Sequence, residues 1–199
     1  MTKLVFLPDQ EVRLKYTKEM TPDDFMDFCL KNPDLNVELE PNGTIVIMSP
    51  LTPSSGNIEA EFITELKLYA RKNGGEAYSS STGFTLPDGS VRSPDASYFK
   101  AEQLEKIDEQ EFFRFTEMVP TFVVEVRSKS DSLSKLQRKM TDTWIANGVR
   151  LAWLVDVKKE RVFVYRANGS IELVEGFEHL LTGEQVLPGF TFDLGLIKA

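Results

Sequence analysis

Cysteine and histidine are nearly missing from this chain: its 199 residues hold one of each, Cys29 and His179. A lone cysteine excludes an internal disulfide and any cysteine-cluster zinc site. A lone histidine excludes the multi-histidine metal motifs and the nuclease chemistries that need several imidazoles. The two residues themselves read as a packing cysteine and a loop histidine. Long apolar runs are missing too, so no segment reaches membrane-spanning length. The opening Met-Thr-Lys-Leu-Val-Phe-Leu-Pro-Asp holds too short an apolar stretch for a secretory signal, and the cytoplasm is the expected location. Positive charge is scarce: 23 Lys and Arg stand against 31 Asp and Glu, a net charge of −8. That balance argues against a protein that coats nucleic acid nonspecifically, because phosphate binding is driven by Lys and Arg. It leaves room for an enzyme acting on nucleic acid, since metal-binding carboxylates add negative charge and a local basic patch can coexist with an acidic whole. Pro53-Ser54-Ser55-Gly56 lacks the glycine spacing and the Lys-Ser/Thr pair of a phosphate loop, and no helix-turn-helix, zinc-finger or OB signature is present.

What is there reads as one α/β domain over residues 1–199, with helices covering a mixed sheet. Internal repeats, low-complexity stretches and linkers are not visible. Residues 1–20 show no period. Thr21-Pro22-Asp23-Asp24 starts a helix that runs to about Leu30. Pro41-Asn42-Gly43 marks a hairpin between strands 37–40 and 44–48. After a polar loop over 50–56, a helix is expected from about Asn57 to Lys72, with Ile58, Phe62, Leu66 and Tyr69 on its apolar face. Asn73-Gly74-Gly75 ends it. Short strands follow over 76–80, 83–86 and 94–99. The Pro120–Val126 and Leu151–Val155 segments are apolar and β-branched, the signal of buried strands. Between them, 131–147 is helical with a stripe at Leu133, Leu136, Met140 and Trp144. Residues 161–165 and 171–174 form a hairpin around Gly169.

Two carboxylates stand out. Glu125 interrupts the run Phe122, Val123, Val124 and Val126; a charge on a buried strand is costly unless it is paired or binds a metal. Asp95 heads the 94–99 strand. Acids on neighbouring strands can hold a divalent cation, and Mg²⁺ prefers oxygen ligands while keeping several waters. Plainer readings exist: a turn residue after proline for Asp95, and for Glu125 a buried ion pair with Arg127 or with a helix lysine. Arg127 shares strand parity with Glu125 and could enter the same cleft, although it stays protonated and makes a poor base. Lys139 lies about 100° around the helix from Met140, so it flanks the buried stripe rather than facing solvent fully. Glu59 sits one position from the apolar face of its helix and could point toward a cleft.

The order Pro94-Asp95, then Glu125-Val126-Arg127, resembles the Pro-Asp…(Asp/Glu)-x-Lys signature of restriction-endonuclease-like nucleases. More closely, the chain resembles the Uma2 family, also called DUF820. The matching pieces are Ser93-Pro94-Asp95-Ala96-Ser97-Tyr98, Val124-Glu125-Val126-Arg127-Ser128, Asp131-Ser132-Leu133, Gln137-Arg138-Lys139-Met140, the run from Asn147 to Asp156, and Leu187-Pro188-Gly189-Phe190. They span roughly residues 20 to 195. The resemblance implies a restriction-endonuclease-like core and a metal held by Asp95, Glu125 and the carbonyl of Val126. In the family, the lysine expected two residues after the glutamate is typically absent, and its role maps here onto Lys139 in the following helix. Glu59 would be an extra acidic ligand or a partner of metal-bound water. One departure is Lys129, which replaces the proline of the family's Ser-Pro-Ser-Asp.

The function so implied is Mg²⁺-dependent hydrolysis of DNA, with Mn²⁺ able to substitute and with a 5′-phosphate and a 3′-hydroxyl as products. Lys139 would orient the attacking water or stabilise the developing charge, and a homodimer would suit cutting both strands. The alternatives are a non-catalytic interaction or regulatory protein on the same fold, and a nuclease for RNA or branched DNA. Without a separate recognition domain, specificity is expected from the loops at 50–56, 87–93 and 100–118.

Overall fold

The structure is a computed structural model and describes residues 12–15, 20–108, 111–115, 117–128 and 131–198. In chain order the strands and helices are β1 (Val12–Lys15), α1 (Pro22–Lys31), β2 (Val37–Leu39), β3 (Thr44–Ile47), α2 (Pro53–Asn73), β4 (Glu76–Ser79), β5 (Phe84–Thr85), β6 (Val91–Arg92), β7 (Ala96–Phe99), α3 (Ala101–Leu104), β8 (Phe122–Val126), α4 (Leu133–Arg138), β9 (Leu151–Asp156), β10 (Arg161–Arg166), β11 (Ile171–Glu175), β12 (Leu180–Thr182) and β13 (Thr191–Asp193). The fold is α/β, with a mixed sheet flanked by helices, as expected.

Six strands form the main sheet in the order β11-β10-β9-β8-β7-β4. Only β8 and β9 run parallel; the other neighbours are antiparallel. The parallel pair needs a crossover, and the helical segment between the two strands supplies it. Strand alternation then sorts the core into two layers. Phe122 and Val124 of β8 face α2, where Ile58, Phe62, Leu66 and Ala70 meet Trp153, Phe190 and Phe192. Val123 points the other way, toward Met140 and Trp144. A smaller five-stranded sheet, β1-β3-β2-β6-β5, packs Leu39, Ile45 and Val91 against Phe25 of α1.

The elements begin where local chemistry dictates. Thr21 caps α1: its hydroxyl accepts the Asp24 N–H, and the Asp24 carboxylate accepts the Thr21 N–H at 3.2 Å. The second helix starts at Pro53, four residues earlier than expected. Thr52 Oγ1 accepts the Ser55 N–H and Pro53 occupies the first turn, the same Thr-Pro start as in α1. The expected loop at 50–56 is therefore half helix, and the one at 87–93 contains β6. A further strand, β1, lies within the segment expected to be irregular; it pairs with β3, Val12 opposite Ile47.

The helix expected over 131–147 is α-helical only from Leu133 to Arg138. It continues as a π-helix over Lys139–Ile145. The Ala146 N–H reaches the Thr141 carbonyl and the Val149 N–H reaches that of Trp144, both at 3.0 Å and both five residues back. Such wide turns are frequent at functional sites. Among the described residues, no helix is long and apolar enough to cross a membrane.

Candidate functional site

The site forms where β7 begins and β8 ends. The two strands are antiparallel, with Ala96 opposite Val124. One step further along this register, Asp95 lies opposite Glu125. The Asp95 carboxylate accepts the Val126 N–H at 2.5 Å. Because N–H and C=O of one strand residue point to the same side, the Val126 carbonyl faces the Asp95 side as well. The next N–H, that of Arg127, turns the other way and donates to Val155 of β9 at 2.8 Å.

Glu125 has the parity of Val123 and so faces the π-helix. One of its oxygens, Oε1, accepts the Trp144 indole N–H and lies against the Lys139 ammonium, each at 2.8 Å. Lys139 also lies 5.7 Å from the Trp144 ring centre, within cation–π range. The third acid arrives from the opposite layer. Glu59, near the start of α2, is buried and hydrogen-bonds Ser80 and Asp95. A hydrogen bond between two carboxyl groups needs a proton on one of them.

Charge is in excess here. Burial pushes the Asp95 carboxyl well above the usual range, and the neighbouring Glu125 and Glu59 push it further. Burial likewise raises Glu59, with Glu125 adding to it and the Ser80 and Asp95 hydrogen bonds opposing it. Glu125 is raised by burial despite Lys139 beside it. Burial would lower Lys139, but Glu125 and Glu38 outweigh it and hold the ammonium above its ordinary range. Glu125, Glu38 and Asp95 thus crowd around one lysine, with Glu59 behind Asp95. Clusters in which burial and like charges perturb carboxyl groups are characteristic of functional sites.

Asp95, Glu125, Val126, Glu59 and Lys139 are therefore neighbours in space. Arg127 is not part of this group. Its guanidinium pairs with Asp156 at 2.6 Å and donates to the Asp131 carbonyl at 3.1 Å. Its parity holds, but the parallel register that sets Val126 beside Val155 sets Arg127 beside Asp156 of β9, which takes the guanidinium sideways. The expectation of Arg127 as a partner of Glu125 is corrected: Arg127 ties the end of β8 to the end of β9. Lys129 lies outside the described residues.

Two participants went unnoticed in the sequence. Glu38 on β2 is buried; it pairs with Arg92 at 2.9 Å and lies 3.5 Å from Lys139. Its sequence carries little signal, because Val37-Glu38-Leu39-Glu40 alternates like a strand with one face in water. Trp144 read as a core anchor, and it also donates to Glu125. No sequence pattern announces that bond, because it depends on how the helix lies on the sheet.

A divalent cation suits this donor set in part. Two carboxylates and a carbonyl are hard oxygen donors, and buried acids in excess are what a cation neutralises. Against a ready-made cage, no group of three or more His, Cys, Asp or Glu among the described residues is placed to hold a metal ion. Glu125 Oε1 is moreover already engaged by Lys139 and Trp144. Two open surface depressions lie elsewhere, one along Ser134, Gln137, Arg138, Thr141 and Asp142, the other around Asp23, Asp27 and Arg114.

Comparison with known proteins agrees with this architecture. No curated protein sequence matches the chain. The crystal structure of "a putative nuclease belonging to DUF820 from Anabaena variabilis ATCC 29413" superposes with a TM-score of 0.73 at 19% identity, covering 89% of this chain and 97% of that one. At that identity the likeness speaks for the fold. The family Uma2, described as "Putative restriction endonuclease", matches residues 22–195. That match takes in the whole main sheet, the smaller sheet apart from β1, and the acid cluster, and the chain belongs to the Uma2 family of nuclease-like proteins.

Proposed function

We propose that this protein hydrolyses DNA phosphodiester bonds with the help of Mg²⁺, for which Mn²⁺ can substitute. The observation that carries the reading is the meeting of Asp95 and Glu125 across the β7–β8 pair, with Lys139 at 2.8 Å from Glu125. Asp95, Glu125 and the Val126 carbonyl would hold the cation. Glu59 would act beside them through its hydrogen bond to Asp95. When bound, the cation supplies charge stabilisation at the phosphoryl group and lowers the pKa of a water.

The chain's own groups do the rest. The Lys139 ammonium is fixed by Glu125 and by the Trp144 ring, so its charge is preorganised for the phosphate oxygens of the transition state. It stays protonated and acts as an electrostatic stabiliser rather than a base. Trp144 fixes the Glu125 carboxylate in orientation. Arg127, held on Asp156, braces the end of the strand that carries Glu125.

The engagement of Glu125 by Lys139 and Trp144 favours a second reading, a non-catalytic protein on the same fold. Calorimetric titration with Mn²⁺ separates the two. Wild type is expected to bind between micromolar and millimolar, and folded Glu125→Gln is expected to show no binding. Incubation of the wild type with plasmid DNA and Mg²⁺ is then expected to yield nicked or linear product, and Glu125→Gln to yield none. A folded wild type that binds no Mn²⁺, even with DNA present, would leave the non-catalytic reading. A homodimer would bring two such sites to a duplex, and sedimentation on DNA would test it. The whole of residues 1–199 acting as one domain belongs to the same proposal.

A further inference from the structure

Glu38 stands apart from the three acids of the proposed metal site. It belongs to the smaller sheet, on β2, and is 4% exposed. Two donors fix its carboxylate without any help from Lys139: Arg92 Nη1 to Oε2 at 2.9 Å, and the Ser93 N–H to Oε1 at 3.1 Å. Arg92 and Ser93 lead directly into Asp95, so the clamp on Glu38 is continuous with the strand that carries a proposed ligand. Lys139 Nζ lies 3.5 Å from Glu38 Oε1 and 2.8 Å from Glu125 Oε1. One ammonium is thus shared between two buried carboxylates from different sheets.

The two carboxylates are not equivalent. Glu125 faces two demands on the same group, the lysine and the cation, whereas Glu38 is committed to protein donors alone. A half-buried ammonium that lost its only carboxylate would be left disfavoured. We infer that Glu38 is a positioning residue for Lys139, keeping the ammonium in the site when Glu125 turns to a metal ion. The inference rests on the metal-site reading above. A purely structural Glu38 would serve only as the partner of Arg92.

The test is Mn²⁺ calorimetry on wild type, Glu38→Gln, Lys139→Met and the double variant, each checked for folding by circular dichroism. Glu38→Gln is expected to weaken Mn²⁺ binding roughly tenfold, as outer partners of metal ligands do. The cause would be Lys139, which then has Glu125 alone and competes with the cation. In the Lys139→Met background the same change should alter affinity by no more than about twofold, because no lysine remains to be redirected. An equal loss in both backgrounds, or no loss in either, overturns the inference and leaves the metal site standing. A folded wild type without Mn²⁺ affinity overturns the metal-site reading and the inference with it.

Should the variants fail to fold, a crystal structure of the wild type with Mn²⁺ decides. Lys139 Nζ within about 3.2 Å of Glu38 and released from Glu125 supports the inference. Nζ still on Glu125 and beyond hydrogen-bond reach of Glu38 overturns it.

Discussion

At the scale of single residues, the acid cluster sets a conflict between stability and function. Asp95 and Glu59 have folded pKa values above their ordinary ones, chiefly through burial. A carboxyl raised in this way contributes stability below its unfolded pKa and loses it as pH rises through the folded value. At neutral pH the metal-free protein therefore carries a cost that an uncharged isostere relieves. Asp95→Asn is expected to raise the melting temperature at neutral pH, since the amide oxygen can still accept the Val126 N–H. The gain should shrink as pH falls and vanish below about pH 3, where the carboxyl is protonated in both states. Thermal unfolding of both proteins from acid to neutral pH checks the sign. A gain independent of pH would mean that charge is not the cause.

At the scale of elements, the π-helix over Lys139–Ile145 shapes the site. It brings Lys139 and Trp144 onto the same Glu125 oxygen. Trp144→Phe keeps an aromatic ring in the core and removes the indole donor. The expected cost is about 1–3 kcal/mol, because a buried carboxylate loses one of its partners. Mn²⁺ affinity should fall about tenfold along with it, since Glu125 is then less firmly oriented. Denaturant unfolding and calorimetry measure the two effects. Full stability with normal Mn²⁺ binding would remove Trp144 from the site. The turn after α2 is equally constrained. Gly75 has φ +82°, and an added Cβ would lie 2.2 Å from the Phe99 carbonyl oxygen, so only glycine lets β4 start beside β7.

At the scale of the whole molecule, the site lies between the two sheets. Glu38 and Arg92 come from the smaller sheet, Asp95 and Glu125 from the larger, and Glu59 from the helix over its far face. A cation bound there holds several elements together, and binding to the folded state alone stabilises by mass action. The melting temperature of the wild type is expected to climb with Mn²⁺, by the equivalent of about 2.7 kcal/mol at a hundredfold excess over Kd. Glu125→Gln should show no such rise. A rise in both proteins would point to Mn²⁺ binding elsewhere on a surface of net charge −8.

The sequence by itself marked most of the elements and pointed to Asp95 and Glu125, which the fold sets side by side. Apolar periodicity marked β8, β9 and the helix between them, and the lone acid in a Val-rich strand marked Glu125, because these signals are local. Asp95 was legible through its place ahead of β7, and the family through the order of short motifs along the chain. Tertiary structure decided which groups meet. Arg127 shares the parity of Glu125, yet the parallel pairing of β8 with β9 sets Asp156 beside it and the guanidinium goes there. Glu38 alternates with Glu40 as a solvent-facing strand acid would, and its 101-residue separation from Lys139 hides their meeting. The register of β7 on β8, the switch to a π-helix and the approach of the second sheet all arise from packing between distant segments. Local patterns name a residue's environment, but only the folded chain chooses its partner.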